Sequence, residues 1–356
     1  MKVKKVLNGV KRACYLTLVT LLVCTCAEVI DLDGDPTSQF VLVYGRVTDG
    51  KAGNEISLAL TSERSDGAQE PISGATIALM KGEELLGRYI EKSESPGDYR
   101  LNYADSAREG EAYHIEIELP NGERILSQPS VMPSLAAKDS LSIQVDLIEF
   151  VVDERGFRRD IRAAQLYVDT KVTNLENDFF LKWNILESYI AVETPRCCGT
   201  PPPPCYIGND ITGQEIRIYD GASLKADVIP DRLFRTTEVD GRFAFLYYYQ
   251  VIQSTIDQQA YEYWSKIEEI SNLSGFVFDK TVANIQGNLY YPDDPKSQVF
   301  GYFEVARVDT TRISTDSDEF NFFLREPCPA SPENFAPECG SCLIIENSTH
   351  DRPYFY

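Results

Sequence analysis

Histidine is nearly missing from this chain: His114 and His350 are the only two in 356 residues. It is the commonest metal ligand and the usual general base near neutral pH, so there is little material for either task. Basic side chains are also short, 34 against 55 acidic ones. A surface that grips nucleic-acid phosphates needs the opposite balance, which excludes a DNA or RNA partner. The signatures of common hydrolases are absent too, since neither a G-x-S-x-G elbow nor an H-E-x-x-H pair occurs. Acidic pairs exist at Asp293-Asp294 and Glu268-Glu269. They read as a turn and a solvated helix face rather than as the spaced carboxylates of a glycosidase. The chain therefore reads as non-catalytic, with no cofactor and no metal. What it does have is 43% apolar and 11% aromatic residues, enough for one large or two ordinary domains with real cores.

Lys2, Lys4, Lys5, Lys11 and Arg12 precede an uncharged stretch, residues 13–26, that holds Leu16, Leu18, Val19, Leu21, Leu22 and Val23. A basic segment followed by a short apolar one is a secretory signal, and the run falls short of the ~20 apolar residues of a spanning helix. Val23-Cys24-Thr25-Cys26 resembles a bacterial lipobox, with Cys26 as the acylated residue because the small Thr25 stands at the cleavage position. Acyl chains contribute about 0.8 kcal/mol per buried methylene, so a triacylated Cys26 is an effectively permanent anchor. Glu28, Asp31, Asp33 and Asp35 follow and resemble the acidic export tag of Bacteroidota surface lipoproteins. An EF-hand reading of this stretch fails, because Pro36 stands where the loop wants glycine and Leu42 where it wants glutamate. Removing residues 1–25 takes away five of the 34 basic residues and no acidic one, which leaves a net charge of −26. Anionic lipid surfaces repel such a body, so the lipid is its sole membrane grip.

Beyond the acidic tether, strand-like segments recur at 40–45, 56–61, 75–80, 99–103, 113–119 and 124–128, separated by Asp49-Gly50, Ser65-Asp66-Gly67, Pro96-Gly97-Asp98 and Asn121-Gly122. Turn signals every dozen residues mean antiparallel β structure. In 113–119, Tyr113, Ile115, Ile117 and Leu119 share one face, which leaves His114 with Glu116 and Glu118 on the solvent side. Val43-Tyr44-Gly45-Arg46-Val47-Thr48-Asp49, Pro71-Ile72-Ser73-Gly74-Ala75-Thr76-Ile77, Gly97-Asp98-Tyr99 and Gly110-Glu111-Ala112-Tyr113 resemble the immunoglobulin-like modules that begin many Bacteroidota surface proteins. A second region opens near Asp139, where Leu141, Ile143, Val145 and Leu147 alternate. Further strands are expected at 164–173, 178–186, 215–219, 243–251, 283–289 and 299–308. One helix interrupts them: Ile256, Ala260, Tyr263, Ile267 and Ile270 recur at helical spacing, and Leu273-Ser274-Gly275 ends it. Tyr263 and Trp264 read as packing on a sheet. The expected organisation is a lipoprotein signal (1–25), an acidic tether (26–38), an immunoglobulin-like β-sandwich (39–135) and a larger β-rich domain with one prominent helix (136–356); the fold class is mainly β.

Apart from Cys26 and the leader, six cysteines remain: Cys197, Cys198, Cys205, Cys328, Cys339 and Cys342. An even number in an exported chain argues for disulfides, with fifteen connectivities open. Cys339-Gly340-Ser341-Cys342 has the spacing of a redox motif but lacks its βαβ context, so stapling of the tail is the preferred reading.

The ending Cys328-Pro329, Cys339-Gly340-Ser341-Cys342 and Arg352-Pro353-Tyr354-Phe355-Tyr356 resembles that of a Bacteroidota lipoprotein family, domain of unknown function 4249. So do Ile285-Gln286-Gly287-Asn288-Leu289 and Val299-Phe300-Gly301-Tyr302-Phe303. An aromatic residue closes that family, often tryptophan, where this chain has Tyr356. The resemblance implies an outer-membrane, lipid-anchored and surface-exposed partner of a TonB-dependent transporter, engaged in nutrient uptake. It brings no catalytic residues. A glycan or peptide ligand is expected on the second domain, where Tyr247, Tyr248, Tyr249, Tyr290 and Tyr291 are the richest aromatic supply, half of them core-facing by strand alternation. The alternative is a surface adhesin or structural envelope protein with no transport role.

Overall fold

In the segment Ala112–Glu118, buried Tyr113, Ile115 and Ile117 alternate with outward-facing residues, and the same period recurs through most of the chain. A period of two is what a strand with one face on a core requires. The computed structural model describes residues 39–356 apart from 51–52, 62–68, 104, 152–157, 174–177, 194–201, 213–215, 223, 225, 275–284, 321–323, 325–327 and 329–336. Its strands are β1 (Val41–Thr48), β2 (Glu55–Leu60), β3 (Glu70–Pro71), β4 (Thr76–Lys81), β5 (Glu84–Lys92), β6 (Ser95–Asn102), β7 (Ala112–Glu118), β8 (Arg124–Ser127) and β9 (Ser130–Val131). There follow β10 (Ala137–Val151), β11 (Arg158–Val172), β12 (Phe180–Ala191), β13 (Cys205–Asp210), β14 (Arg217–Asp220), β15 (Val228–Glu238), β16 (Tyr247–Ile256), β17 (Leu289–Tyr290), β18 (Val299–Thr315) and β19 (Ser348–Thr349). The helix α1 spans Gln258–Ser274, between β16 and β17.

Sixteen strands form one sheet, ordered β17-β8-β7-β4-β5-β6-β2-β1-β18-β16-β12-β13-β19 along its main path, while β10, β11 and β15 form a second, three-stranded sheet. The protein is mainly β and sandwich-like. The segments 39–135 and 136–356 share the large sheet: β1 runs parallel to β18 from Val41↔Val299 to Thr48↔Ala306, and β17 pairs with β8. Residues 39–356 form one compact unit.

Glycine makes that junction possible. Gly301 has φ +100°, and a Cβ there would meet the Val43 carbonyl oxygen at 1.9 Å. A Cβ on Gly287 would meet the Gly301 oxygen at 1.7 Å. Asn288 completes the latch by donating to the Phe303 carbonyl at 2.8 Å and accepting from the Phe303 amide at 2.9 Å. The 285–303 motif thus joins β18 to the strands beside it.

One face of the large sheet carries two cores in succession. Val43, Leu58, Ile77, Leu79, Ile115 and Phe303 fill the first. Trp183, Ile185, Tyr247, Tyr249 and Val251 form the second with Ala164, Leu166 and Val168 of the small sheet. On the opposite face of β18, α1 packs Ala260, Tyr263 and Ile267 against Tyr302 and Ala306. Asp257 starts the helix, its carboxylate accepting from the Ala260 amide at 2.7 Å.

The structure differs from the sequence expectations at several points. The strand expected over 243–251 begins only at Tyr247, because Gly241–Ala244 is a 3-10 turn whose Arg242 amide is capped by Asp240. The strand expected over 283–289 is reduced to Leu289–Tyr290 among the described residues. β3, β5, β9, β13, β15 and β19 have no counterpart in the sequence reading. His114 does lie on the outer face of β7, but its side chain is only 15% exposed and its Nδ1 is buried, so it is no ordinary surface residue.

Candidate functional site between the two sheets

The small sheet packs against the β12–β16 region through the second core. Strand register decides which side chains reach it. On β12, Trp183, Ile185 and Glu187 face inward, and opposite them on β16 stand Gln253, Val251 and Tyr249. On β11 the inward residues are Ala164, Leu166 and Val168.

β15 breaks the simple alternation. Arg235 lies opposite Leu166 and Leu233 opposite Tyr167, so Phe234 is an extra residue, and Arg232 falls opposite Val168. Such a bulge re-aims side chains, and here it turns Arg232, Phe234 and Arg235 to the same interior side. Thr237, opposite Ala164, joins them. Arg217 on β14 holds the bulge by donating to the Phe234 carbonyl at 2.6 Å.

The Arg232 guanidinium sits over three rings, 4.9 Å from the centroid of Trp183 and 5.4 Å from those of Tyr219 and Phe234. Cation–π attraction holds it in place but satisfies no N–H group. Among the described residues its buried Nη2 has no hydrogen-bond partner, and neither has the buried Nε of Arg235. Neither guanidinium forms an ion pair among the described residues. Both residues are half-buried. Burial lowers the pKa of Arg232, while Tyr219 and Asp139 oppose that shift.

Asp139 on β10 ties the two sheets together. It accepts from Thr170 Oγ1 at 2.7 Å, Trp183 Nε1 at 2.8 Å and Gln253 Nε2 at 2.6 Å. Burial raises its pKa above the ordinary carboxylate value, those hydrogen bonds pull it back, and Asp309 adds to the rise. At the other end Glu187, 3% exposed, accepts from Arg242 Nη1 at 2.9 Å, from Asn209 Nδ2 at 3.0 Å and from the Tyr247 hydroxyl. Burial pushes the Tyr249 phenol up to about 12. The acids are therefore already partnered, and Gln253 Oε1 shares with the two arginines of β15 the lack of a hydrogen-bond partner among the described residues.

The aromatic residues singled out by composition divide as their strands dictate. Tyr247 and Tyr249 are fully buried in the second core. Tyr248 points to the other face, where the chain end covers it: its hydroxyl donates to the Phe355 carbonyl at 2.8 Å, and Tyr356 packs on it at 4.8 Å. Arg312 lies over the Tyr354 and Phe355 rings and donates to the Tyr354 hydroxyl at 2.8 Å. Tyr290 is 41% exposed and Tyr291 packs on the first core. Tyr263 is buried under α1, and Trp264 donates to Glu304, which also pairs with buried Lys182.

Cys205 bonds to Cys342 and Cys328 to Cys339, so the two cysteines of the C-x-x-C spacing belong to different disulfides. The sulfurs of Cys205 and Cys342 lie with His350 Nδ1 within 4.8 Å, but they are spent on each other. Cys26, Cys197 and Cys198 lie outside the described residues.

Fold and site define a disulfide-joined β protein with two half-buried arginines, Arg232 and Arg235, facing inward between its sheets. The family model described as domain of unknown function (DUF4249) matches residues 27–312, well over half of the chain, and the protein belongs to that family. No curated protein and no solved structure matches it. Neither arginine is visible in the sequence as a site residue, because strict alternation places positions three apart on opposite faces.

Proposed function

We propose that this chain is a non-catalytic, lipid-anchored protein of the Bacteroidota outer membrane, exposed at the cell surface, and that it serves a TonB-dependent transporter as its accessory, ligand-binding partner in nutrient uptake. The observation that carries this reading is a basic and apolar leader ending at Cys26, set before a β body in which two inward-facing arginines each have a buried N–H group without a hydrogen-bond partner among the described residues. The leader supports export and acylation. The unpartnered groups support binding, since buried donors are normally satisfied and a concentration of unsatisfied ones marks a place for a ligand. No helix among the described residues is long and apolar enough to cross a membrane, so the acyl chains are the attachment this reading requires.

Co-purification tests it. Tagged protein extracted from native membranes in mild detergent is expected to bring down a large β-barrel, and mass spectrometry to find a triacylated Cys26 at the mature amino terminus. An unmodified terminus, or a protein recovered without any barrel, contradicts the reading.

A further inference from the structure

We propose that β10 is the contact surface of a homodimer, in which the edge of this strand pairs antiparallel with β10 of a second copy about Gln144. The three-stranded sheets of the two copies then continue into each other. The argument runs from the edge itself to the side chains on it and then to the partner they fit.

β10 ends the small sheet and pairs only with β11 among the described residues. An unpaired edge offers a row of backbone N–H and C=O groups to another chain, and proteins usually blunt it by shortness, proline or a bulge. The other strands that end a sheet follow that rule: β17 and β19 are two residues long, and β15 carries Pro230 and two irregularities of register. β10 does not. It runs for 15 residues without proline or glycine, and its register with β11 is unbroken from Ala137 to Val151.

Leu141, Ile143 and Val145 lie opposite Val168, Leu166 and Ala164 of the second core, and Leu147 continues their row. Leu141 and Ile143 pack on that core. Val145 is 37% exposed and Leu147 66%, so the apolar row outruns what the chain itself covers. Ser142, Gln144 and Asp146, on the other face, are exposed as well. Near the start of the strand the Asp139 carbonyl already accepts from Thr311 Oγ1 at 3.3 Å, which leaves 140–148 to pair.

A second copy fits this stretch because the stretch complements itself. Pairing about Gln144 sets Leu147 opposite Leu141 of the second copy and Val145 opposite its Ile143, so each exposed apolar side chain meets a half-buried one. Such directly opposed pairs are the unit of sheet stabilisation. Asp146 is the only charged residue in 140–148, and the same register sets it opposite Ser142, whose hydroxyl can donate to it, rather than opposite an acid. Repulsion between two acidic bodies is screened beyond about 8 Å at physiological salt and leaves these contacts in place.

The register makes the test directional. Sedimentation velocity on the mature chain carrying Cys26→Ser should show a dimer by about 100 μM, in the range of weak, non-obligate contacts. Ser142→Lys places an ammonium opposite Asp146 twice in the dimer and should tighten it by about fivefold, whereas Ser142→Asp places two acids there and should weaken it by about as much. Both changes fall on an exposed residue, so the fold is not at stake. In native membranes, Gln144→Cys should be joined to its counterpart in a second copy by a short bismaleimide, and the unsubstituted chain should not. A monomer at every concentration, shifts of the same sign for the two Ser142 variants, or a cross-link from position 144 only to a different protein would each overturn the proposal.

Discussion

Arg232 and Arg235 stand three residues apart on β15 and face the same side of it. One extra residue, Phe234, is responsible, and its ring closes the wall against Trp183 at 5.5 Å. Backbone register, a cation–π box and two unsatisfied guanidinium groups are therefore consequences of one local irregularity.

The bulge is the first point to probe. Phe234 is 4% exposed and packed within the second core. Phe234→Ala should lower stability by about 3–5 kcal/mol, as expected for truncating a buried phenylalanine. Urea melts measure this, and a loss under about 1 kcal/mol contradicts the packing described.

Asp139 supplies a pH test. Its folded pKa lies above the ordinary carboxylate value, so the native state holds that proton more tightly than the unfolded chain does. Stability from this group is complete below the ordinary value and falls as pH rises through the raised one. Relative to Asp139→Asn, the native protein should therefore lose stability as pH climbs from below the ordinary carboxylate value through the raised one. A difference that is flat or of the opposite sign contradicts the shift.

Glu187 is 3% exposed and Arg242 30%, at 2.9 Å. Arg242→Met strands a buried carboxylate and should cost about 3–5 kcal/mol, whereas adding Glu187→Gln restores much of the loss because the orphaned charge is gone. Thermal and urea unfolding of the two variants give the comparison. Equal stability of the single and double variants contradicts the pairing.

The disulfides differ in the chain length they span. Cys205–Cys342 joins residues 137 apart and Cys328–Cys339 residues 11 apart. Loop-closure entropy assigns about 5 kcal/mol to the first and about 3 kcal/mol to the second. Replacing each pair by alanine should reproduce that order in denaturant melts, and the reverse order would count against it.

Much of this architecture was legible beforehand. Alternation at Tyr113–Leu119 and Tyr247–Val251 marks core-facing strands, and the spacing of Ala260, Tyr263 and Ile267 marks the helix, whereas Ile256, read as its first apolar position, is the last residue of β16. The Asp294 turn is also as read, its carboxylate accepting from the Lys296 amide and from Ser297 Oγ. β15 was not legible, because Ile229, Arg232 and Arg235 recur at intervals of three, and such a rhythm follows neither strand nor helix. The inward-facing arginines stayed hidden for the same reason: they look like solvated charges until the bulge turns them inward. Disulfide pairing needs three-dimensional proximity, which spacing alone does not reveal.

Mass spectrometry of the protein taken from native membranes offers the most direct trial. It should find Cys26 as the first residue, carrying three acyl chains. An unmodified terminus, or one that begins at another residue, contradicts the account.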